Sequence, residues 1–344
     1  MDNKKGKAID TAKAFLEGQD MSSRESEVLR DIIARTNFLP KGVLWRSDYY
    51  GTGKLGAIHY LGKFKDKKAV LKIQGVKPEI SEVEMIRAFS GQNESLVIRA
   101  PRLFESLAWN EKLGYEALIM EHIEGEKIIK SGSLQTQDKV GEFFNLYQEY
   151  KNNCINKPWL AKPQKENFLE VIRKAKTVAQ KVKPDSPYRR EEDLELVDKG
   201  FKKLEAIWQN KESEFMHGHF SAEDLIKKGN KVVLFSNLFW KWKPPFYDAV
   251  FAYHWFIYSL SRITRISKEK IDSQRNIWLD QIYNLSLIRS SKNNRMLINA
   301  VLLERALAGL LVDAFAYIEE TNPIAEYMVI STREEARRLT EELN

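Results

Sequence analysis

The stretch HGHFSAEDLIKKGNKVVLFSN, residues 217–237, decides how the rest of the chain is interpreted. Two short apolar runs flank a Lys-Gly-Asn turn, in which Gly229 and Asn230 tolerate positive φ, so a β-hairpin is predicted here. The polar segment before the hairpin carries two histidines and two acids. The question is whether this loop performs chemistry or keeps only the shape of a loop that did.

The composition is that of an ordinary globular protein and permits two separate cores. The chain has 344 residues, of which 43% are hydrophobic and 30% are charged. A formal net charge of +7 permits an anionic ligand such as a nucleotide, but it is no strong indication of nucleic-acid binding.

The single cysteine, Cys154, excludes an internal disulfide and a thiolate metal cluster, which favours a reducing cytoplasm. No apolar run follows Met1, so we expect no signal peptide. The most apolar stretch, at 249–260, is shorter than the roughly 20 residues that a membrane span needs. We therefore expect a cytoplasmic protein without a membrane segment, and a buried helix at 249–260.

The periodicity changes along the chain. Helical spacing comes first, strand-like runs with one helix follow, and the remainder is mostly helical. This order predicts an α+β protein with three parts: an N-terminal helical extension at 1–41, a small β-rich lobe ending in a hinge at 42–128, and a large helical lobe at 129–344.

The small lobe contains a candidate phosphate-binding segment, GTGKLGAI at 51–58. It fits the pattern G-x-G-x-x-G-x-V with isoleucine in the last place. Gly51, Gly53 and Gly56 would let a hairpin backbone approach phosphates closely. The segment lies between two strand-like runs, which favours a hairpin that covers phosphates over a dinucleotide-binding turn between strand and helix.

Two further segments complete this candidate site. AVLKI at 69–73 resembles a V-A-I-K strand, in which Lys72 pairs with phosphates and needs an acidic partner because its neighbours are apolar. Helix register favours Glu84 as that partner, with Glu82 as the alternative. In YEALIMEHIEGE at 115–126, backbone groups around Glu121 and Ile123 are expected to bind the edge of a nucleotide base.

These segments follow one another as in a protein-kinase small lobe, and from about 42 to 260 the chain resembles the aminoglycoside phosphotransferase and choline kinase-like family. That family carries a block close to H-G-D-x-H-x-x-N, then a strand ending I-D-W/F, then a Y-D pair that opens a helix. HGHFSAED, LFSN and FYDAV lie on these blocks. The resemblance implies a two-lobe protein-kinase-like fold, ATP as nucleotide, magnesium as metal, and phosphate transfer to a small molecule.

The sequence departs from this family at the residues that carry the chemistry. The family uses an aspartate to orient the attacking hydroxyl, and an asparagine and a second aspartate to hold magnesium. Here these positions are His219, Asp224 and Ser236. An imidazole can accept a proton near pH 7, and Asp224 keeps an oxygen ligand. Ser236 replaces a charged ligand by a hydroxyl, which puts magnesium binding in doubt.

Two other interpretations of this block remain open. A register shifted by one residue places Asn237 at the second metal position. A transition-metal site could instead use His217 and His219 with the neighbouring acids, although His217 falls on the family's structural histidine. Asp248, of the Y-D pair, is expected to cap the helix that follows it.

The sequence therefore predicts a nucleotide-binding, aminoglycoside-phosphotransferase-like protein whose phosphotransfer is lost or much reduced, a pseudokinase-type binding or regulatory module. One alternative is an active ATP-dependent kinase that phosphorylates a small-molecule hydroxyl through His219. The other is a scaffold that binds no nucleotide and uses its basic helical lobe on an acidic partner. The sequence distinguishes neither ATP from GTP nor one acceptor from another.

Overall fold

The structure is a computed structural model, and it describes residues 23–48, 55–164, 168–169, 172–173, 176, 190–209, 211–263, 265–285, 292–313 and 323–343. The described residues divide into two compact units. Unit 1 lies within Met1–Ser90 and Ala100–Glu124, and unit 2 lies within Gly91–Arg99 and Gly125–Asn344. The two predicted glycines Gly51 and Gly53 lie outside the described residues.

In chain order, the described helices and strands are α1 (Ser23–Thr36), β1 (Leu39–Asp48), β2 (Leu55–Phe64), β3 (Lys67–Gln74), α2 (Glu82–Gln92), β4 (Ile98–Arg99), β5 (Leu103–Asn110), β6 (Tyr115–Glu121), β7 (Glu126–Lys127), α3 (Gln137–Asn153), α4 (Glu191–Trp208), β8 (Glu214–Met216), β9 (Leu225–Lys228), β10 (Lys231–Leu234), β11 (Lys241–Lys243), α5 (Tyr247–Ser259), α6 (Lys268–Tyr283), α7 (Lys292–Ala308) and α8 (Pro323–Glu342).

Unit 1 is built on a five-stranded sheet in the order β1-β2-β3-β6-β5, with every neighbouring pair antiparallel. Side chains alternate between the two faces of each strand. One face packs on α1 and forms a closed apolar core. The members of this core are Val28, Leu29, Ile32, Ile33, Phe38, Ile58, Tyr60, Phe64, Ala69, Leu71, Ile73, Tyr115, Ala117 and Ile119.

A buried carboxylate ties α1 to the sheet. Glu25 is 4% exposed and accepts hydrogen bonds from the Tyr60 hydroxyl at 2.9 Å and from Arg46 at 2.7 Å. The helix α1 shares its core with the sheet and lies within unit 1, and the division between the two units falls after Glu124.

Unit 2 combines a four-stranded sheet, in the order β4-β10-β9-β7, with a two-stranded sheet of β11 and β8 and with helices α3 to α8. The predicted hairpin is confirmed: β9 and β10 pair antiparallel around Gly229, whose φ is 60°. A buried ion pair joins α4 to α8, because Arg333 donates to both carboxylate oxygens of Asp193 at 2.5 and 2.9 Å.

The apolar stretch near 249–260 forms α5, and nearly all of its side chains are buried, as predicted. Within the described part of the chain, no helix has the length and apolarity of a transmembrane span.

Gly62 of β2 provides a test of the unit 1 core. A methyl group at this position would overlap the Leu39 carbonyl and the Phe38 ring, whereas one at Gly42 of β1 would meet nothing within 4 Å. We expect Gly62→Ala to lower the free energy of unfolding by about 1–3 kcal/mol through overpacking. Gly42→Ala should lie within about 0.5 kcal/mol of the unsubstituted chain. Thermal and denaturant unfolding of both variants makes the comparison, and equal effects would contradict this packing.

Candidate functional site

A buried carboxylate positions the loop that begins at residue 217. Asp248, on the first turn of α5, is 1% exposed. It accepts a hydrogen bond from the hydroxyl of Tyr150 on α3 at 2.7 Å. The Tyr150 hydroxyl in turn accepts the backbone N–H of His217 at 2.6 Å. The Tyr150 hydroxyl thus links the Asp248 carboxylate to the backbone at the start of the loop.

The predicted capping role of Asp248 is wrong. The N-terminal cap of α5 is Phe246, in the left-handed conformation and without a side-chain cap bond. Asp248 holds the loop instead. Burial raises the pKa of Asp248 to about 6, while its bonds to Tyr150 and to the Phe220 and Gly218 backbone oppose the rise. The ionised form of Asp248 is therefore unfavourable in this buried site, and its hydrogen bonds offset part of the desolvation cost.

His217 lies beneath the loop and is fully buried. Its ring meets the Trp240 ring edge-on, with centroids 5.0 Å apart. Burial lowers the pKa of His217 to about 3, so the imidazole is neutral near pH 7. The structure describes no group of three or more His, Cys, Asp or Glu side chains arranged to hold a metal ion. The transition-metal interpretation therefore has no ligand set among the described residues.

Asp224 is the centre of a compact polar cluster. His219 Nδ1 lies 2.8 Å from Asp224 Oδ2, and the Ser221 hydroxyl donates to the same oxygen at 2.5 Å. The Ser236 hydroxyl donates to the other oxygen, Oδ1. The structure thus brings together all three residues that the sequence assigned to catalysis and metal binding, and adds Ser221.

These contacts decide the charge of the cluster. Burial by itself raises the pKa of Asp224, but the charge of His219 and the hydrogen bonds from His219 and Ser221 outweigh it and lower the pKa to about 2. Asp224 is therefore a carboxylate near neutral pH. Its oxygens accept bonds from the loop itself, and the side chain is only 8% exposed.

Aromatic rings surround His219. The Phe239 ring stacks on it with centroids 4.5 Å apart, and Phe251 and Trp255 lie at 4.6 and 5.5 Å. An imidazole that is held at Nδ1 by a carboxylate has the arrangement that orients a general base in hydrolases. The arrangement could take a proton from a hydroxyl placed at Nε2, but it brings no second charge to a phosphate.

The donor set does not fit the magnesium that the fold family implies. Magnesium in phosphoryl-transfer sites is held by carboxylates and phosphates in octahedral geometry. Ser236 adopts a left-handed backbone with φ 59° and donates its proton to Asp224, so its hydroxyl is turned toward that carboxylate. The second metal position therefore contributes no carboxylate, and the first is already hydrogen-bonded on both oxygens.

The shifted register does not restore a ligand. Asn237 is fully buried. Its amide oxygen accepts from the Trp240 indole at 3.0 Å, and its amide nitrogen donates to the Leu234 carbonyl at 2.9 Å. Both ends of the side chain thus hold the turn after β10.

Unit 1 carries the predicted lysine in a buried ion pair. Lys72 on β3 is 6% exposed, and its Nζ lies 2.5 Å from Oε2 of Glu82, which is 3% exposed. The choice of Glu84 as the partner is wrong. Glu84 is exposed on α2, because a shift of two positions rotates a side chain about 200° around a helix.

Glu116 on β6 is a second buried acid on this face of the sheet. It is 3% exposed and lies opposite Gln74, two residues along β3 from Lys72. Burial raises the pKa of Glu116, and the charges of Glu82 and Glu84 add to the rise, while hydrogen bonds to Ser81 and the Glu82 backbone oppose it. No sequence pattern selects Glu116, since it falls within an apolar run.

The predicted hinge is only partly available to a ligand. The Glu121 N–H donates to the Arg102 carbonyl at 2.9 Å, and the Glu121 carboxylate accepts the Arg102 N–H at 2.8 Å. The Glu121 amide is therefore committed to the sheet. Ile123 is 7% exposed, and within the described residues its backbone groups form no hydrogen bond. The contact between the Ile123 backbone and a base edge remains a prediction.

Of the predicted glycines, only Gly56 falls in the described residues. It lies on β2, and its carbonyl accepts the Gly75 N–H at 2.7 Å. Ile58, the last position of the glycine-rich pattern, points into the core with α1 and is fully buried. The neighbouring His59 occupies the face that carries Lys72, since these two residues are paired across β2 and β3.

No protein-family model and no curated protein matches this sequence. Solved structures match the fold. A thermostable mutant of the aminoglycoside phosphotransferase APH(4)-Ia, in a ternary complex with ADP and hygromycin B, superposes with a TM-score of 0.58 at 10% identity. The match covers 92% of this chain and 98% of that chain.

Two kinases of small molecules are similar to the chain in the same way. A microcompartment-associated aminopropanol kinase has a TM-score of 0.57 at 10% identity, over 92% of this chain and 96% of that one. A choline kinase from Cryptosporidium parvum has a TM-score of 0.53 at 12% identity, with the same coverage. These likenesses confirm the predicted fold, a β-rich N-terminal region and a helical C-terminal region of protein-kinase-like type.

Tyr150 was missed as a functional residue in the sequence, where it appears only as one aromatic on the apolar face of a helix. Its role can be tested against Tyr147, one turn away on α3, whose buried hydroxyl has no partner among the described residues. We expect Tyr150→Phe to lower the free energy of unfolding by about 1–3 kcal/mol, because Asp248 and the His217 amide each lose a buried partner.

Tyr147→Phe should be neutral or slightly stabilising, since it removes a buried hydroxyl that has no partner to lose. Denaturant unfolding of both variants, followed by tryptophan fluorescence, gives the two values. A loss as large in Tyr147→Phe as in Tyr150→Phe would contradict the assigned role of the Tyr150 hydroxyl.

Proposed function

We propose that this chain, which has the fold of the aminoglycoside phosphotransferases and choline kinases, is a nucleotide-binding protein in which magnesium-dependent phosphotransfer is lost or much reduced. It acts as a pseudokinase-type binding or regulatory module. ATP is the nucleotide that the fold implies, and the location is the cytoplasm, to which a single buried cysteine is suited.

The observation that carries this proposal is the state of Asp224. Three positions correspond to the family's catalytic and metal-binding residues, and only residue 224 among them carries a carboxylate. The side chains of His219, Ser221 and Ser236 all hydrogen-bond to it. A metal ion at this carboxylate would have to displace charge-assisted hydrogen bonds, each worth about 1.5–3 kcal/mol. Phosphoryl transfer depends on positioning the reactants and on neutralising the charge of the phosphates. In this cluster, the available donors are bonded to the Asp224 carboxylate instead.

Nucleotide binding is supported by what unit 1 retains. The buried pair of Lys72 and Glu82 has the form that holds a lysine ready for phosphates. The Ile123 backbone, which forms no hydrogen bond among the described residues, supports the predicted contact with a base edge. Several solved structures of this fold contain ADP or AMP-PNP. An active kinase that relies on His219 as a base is the weaker alternative, because it lacks the second metal carboxylate.

The first test is calorimetric titration with ATP, in magnesium and in EDTA. We expect binding of similar strength in both, because the metal ligands are what the site lacks. Lys72→Met keeps the volume of the side chain and should weaken binding about 10- to 100-fold, since a charge-assisted bond to phosphate is worth about 1.5–3 kcal/mol.

Lys68→Ala is the matched control, because Lys68 lies on the same strand but is exposed and pairs with Glu124 at the surface. It should bind ATP within about twofold of the unsubstituted chain. Binding that requires magnesium would favour the active kinase, and a screen of hydroxyl acceptors for ADP release would follow. If no nucleotide binds and an acidic partner is captured in a salt-sensitive manner, the scaffold function would be the interpretation that remains.

The second test restores the missing charge. Ser236→Asp places a carboxylate beside Asp224 at a left-handed position that aspartate tolerates. We expect this variant to bind ATP more tightly in magnesium than in EDTA, by about 10-fold or more, since two carboxylates then face the metal. Calorimetry in both buffers measures the ratio.

Ser236→Asn is the control, because it has nearly the shape of the aspartate without its charge. Its affinity ratio between magnesium and EDTA should stay near that of the unsubstituted chain. A ratio that does not change in Ser236→Asp would mean that the missing carboxylate is not what prevents magnesium binding.

A further inference from the structure

A pocket of about 270 Å³ lies within unit 2, between α3 and the four-stranded sheet. Its floor is aliphatic, because Ile128, Leu146 and Val232 line it and are buried. Val97, from the turn before β4, adds a partly exposed side chain. The pocket shares no lining residue with the polar cluster around Asp224. Its rim is polar and consists of Glu142, Asn145, Glu149, Lys227 and Asn230.

Leu96 projects into solvent beside this pocket. It is 82% exposed, the highest value among the large apolar side chains that the structure describes. The next residue, Val97, lines the pocket, and Lys231 of β10 donates a hydrogen bond to the Leu96 carbonyl. Single exposed leucines are common on protein surfaces. This leucine differs from them because it stands next to an apolar recess and because its backbone is fixed.

The turn that carries this leucine is fixed by two side chains. The Ser95 hydroxyl accepts the N–H groups of Val97 at 3.0 Å and Ile98 at 2.8 Å, and donates to the Glu149 carboxylate at 2.6 Å. The Asn93 amide donates to the Ile98 carbonyl at 2.7 Å and accepts the Ser95 N–H at 3.0 Å. Because the turn is ordered before any contact forms, burying its side chain against a partner costs little conformational entropy.

Opposite charges flank the pocket on its two sides. The residues of α3 that line it include Glu142 and Glu149 and no cation. The β9–β10 hairpin on the other side, residues 225–234, carries three lysines and no acid. The two sides face each other, since Glu142 lies 3.1 Å from Lys227. A two-fold rotation of this surface therefore brings the acidic side of one copy against the basic side of another.

We propose that this surface binds a second copy of the chain in a two-fold symmetric dimer, in which Leu96 of each copy enters the pocket of the other. A two-fold interface uses the same patch twice, so it needs a projecting group and a recess on one surface. The leucine and the pocket supply both, and the charged sides fix the orientation. With one apolar anchor per copy, the dimer is reversible, with a Kd of about 1–100 µM. This assembly does not depend on nucleotide binding.

The experiment is sedimentation velocity of the full chain without nucleotide, from about 1 to 200 µM, which brackets this Kd. We expect Leu96→Asp to weaken the dimer more than about 100-fold, because the contact occurs twice and each copy would bury an unpaired carboxylate. Leu44→Asp is the matched control, since Leu44 lies on β1 of unit 1, is 51% exposed and does not line the pocket. It should dimerise like the unsubstituted chain.

Charge reversal tests the symmetry of the contact. Glu142→Lys puts a cation on the acidic side of the pocket, and Lys227→Glu puts an acid on the basic side. Each variant alone should dimerise about 3- to 10-fold more weakly, since both halves of its interface then bring like charges together. An equimolar mixture of the two, with one of them fluorescently labelled, should form a heterodimer, because both halves then bring opposite charges together.

Three results would overturn the proposal. A chain that stays monomeric over the whole range would leave the pocket to a different occupant. A dimer that Leu96→Asp leaves intact would place the interface elsewhere. Association that continues beyond a dimer would also overturn it, because a two-fold contact closes on itself. If the mixture of charge variants associates no more strongly than either variant alone, the assigned orientation is wrong.

Discussion

The buried carboxylate of Asp248 is the constraint on which the candidate site depends. A charge that burial disfavours, as the raised pKa of Asp248 indicates, persists only where the surroundings compensate it. Here the Tyr150 hydroxyl donates a hydrogen bond to one carboxylate oxygen, Oδ2, and accepts the His217 N–H. Loss of the Tyr150 hydroxyl would leave both of these buried groups without that partner. The aromatic cluster around Tyr150 closes this region to water.

In a loop that is held in this way, the chemistry depends on which groups contact Asp224. A carboxylate of this kind can bind a metal ion or form hydrogen bonds with neighbouring side chains. Here both of its oxygens are hydrogen-bonded, to His219, Ser221 and Ser236. Hydrogen bonds in a site of low dielectric reinforce one another. The loop is therefore a polar network in which the Asp224 carboxylate is hydrogen-bonded within the loop itself.

In unit 1, side chains alternate along each strand, so the two faces of the sheet carry different sets of residues. One face of the sheet is committed to the core with α1. The other face bears Trp45, His59 and Lys72 in one row. The buried lysine is paired with Glu82, which reaches it from α2. A pair of this kind gives little net stability, but removing one partner would leave an uncompensated buried charge.

The sequence by itself determined the fold class, the order of β-rich and helical regions, the hairpin at Gly229 and the burial of α5. These follow from local periodicity and turn chemistry, which act over a few residues. The polar block at 217–237 also placed His219, Asp224 and Ser236 in one loop, and the structure brings them into contact.

Only the tertiary structure decided the partners. Glu82 and Glu84 both fit the helix pattern, and the rotation of α2 against the sheet selects Glu82. Asn237 is adjacent in sequence to a predicted metal position, yet its amide oxygen accepts a hydrogen bond from the Trp240 indole. Tyr150 and Asp248 are 98 residues apart, and Trp45 and Lys72 fall in one row across the sheet only through the register of two hairpins. Such pairings depend on how whole elements pack, and no local pattern encodes the direction in which a polar side chain finds its partner.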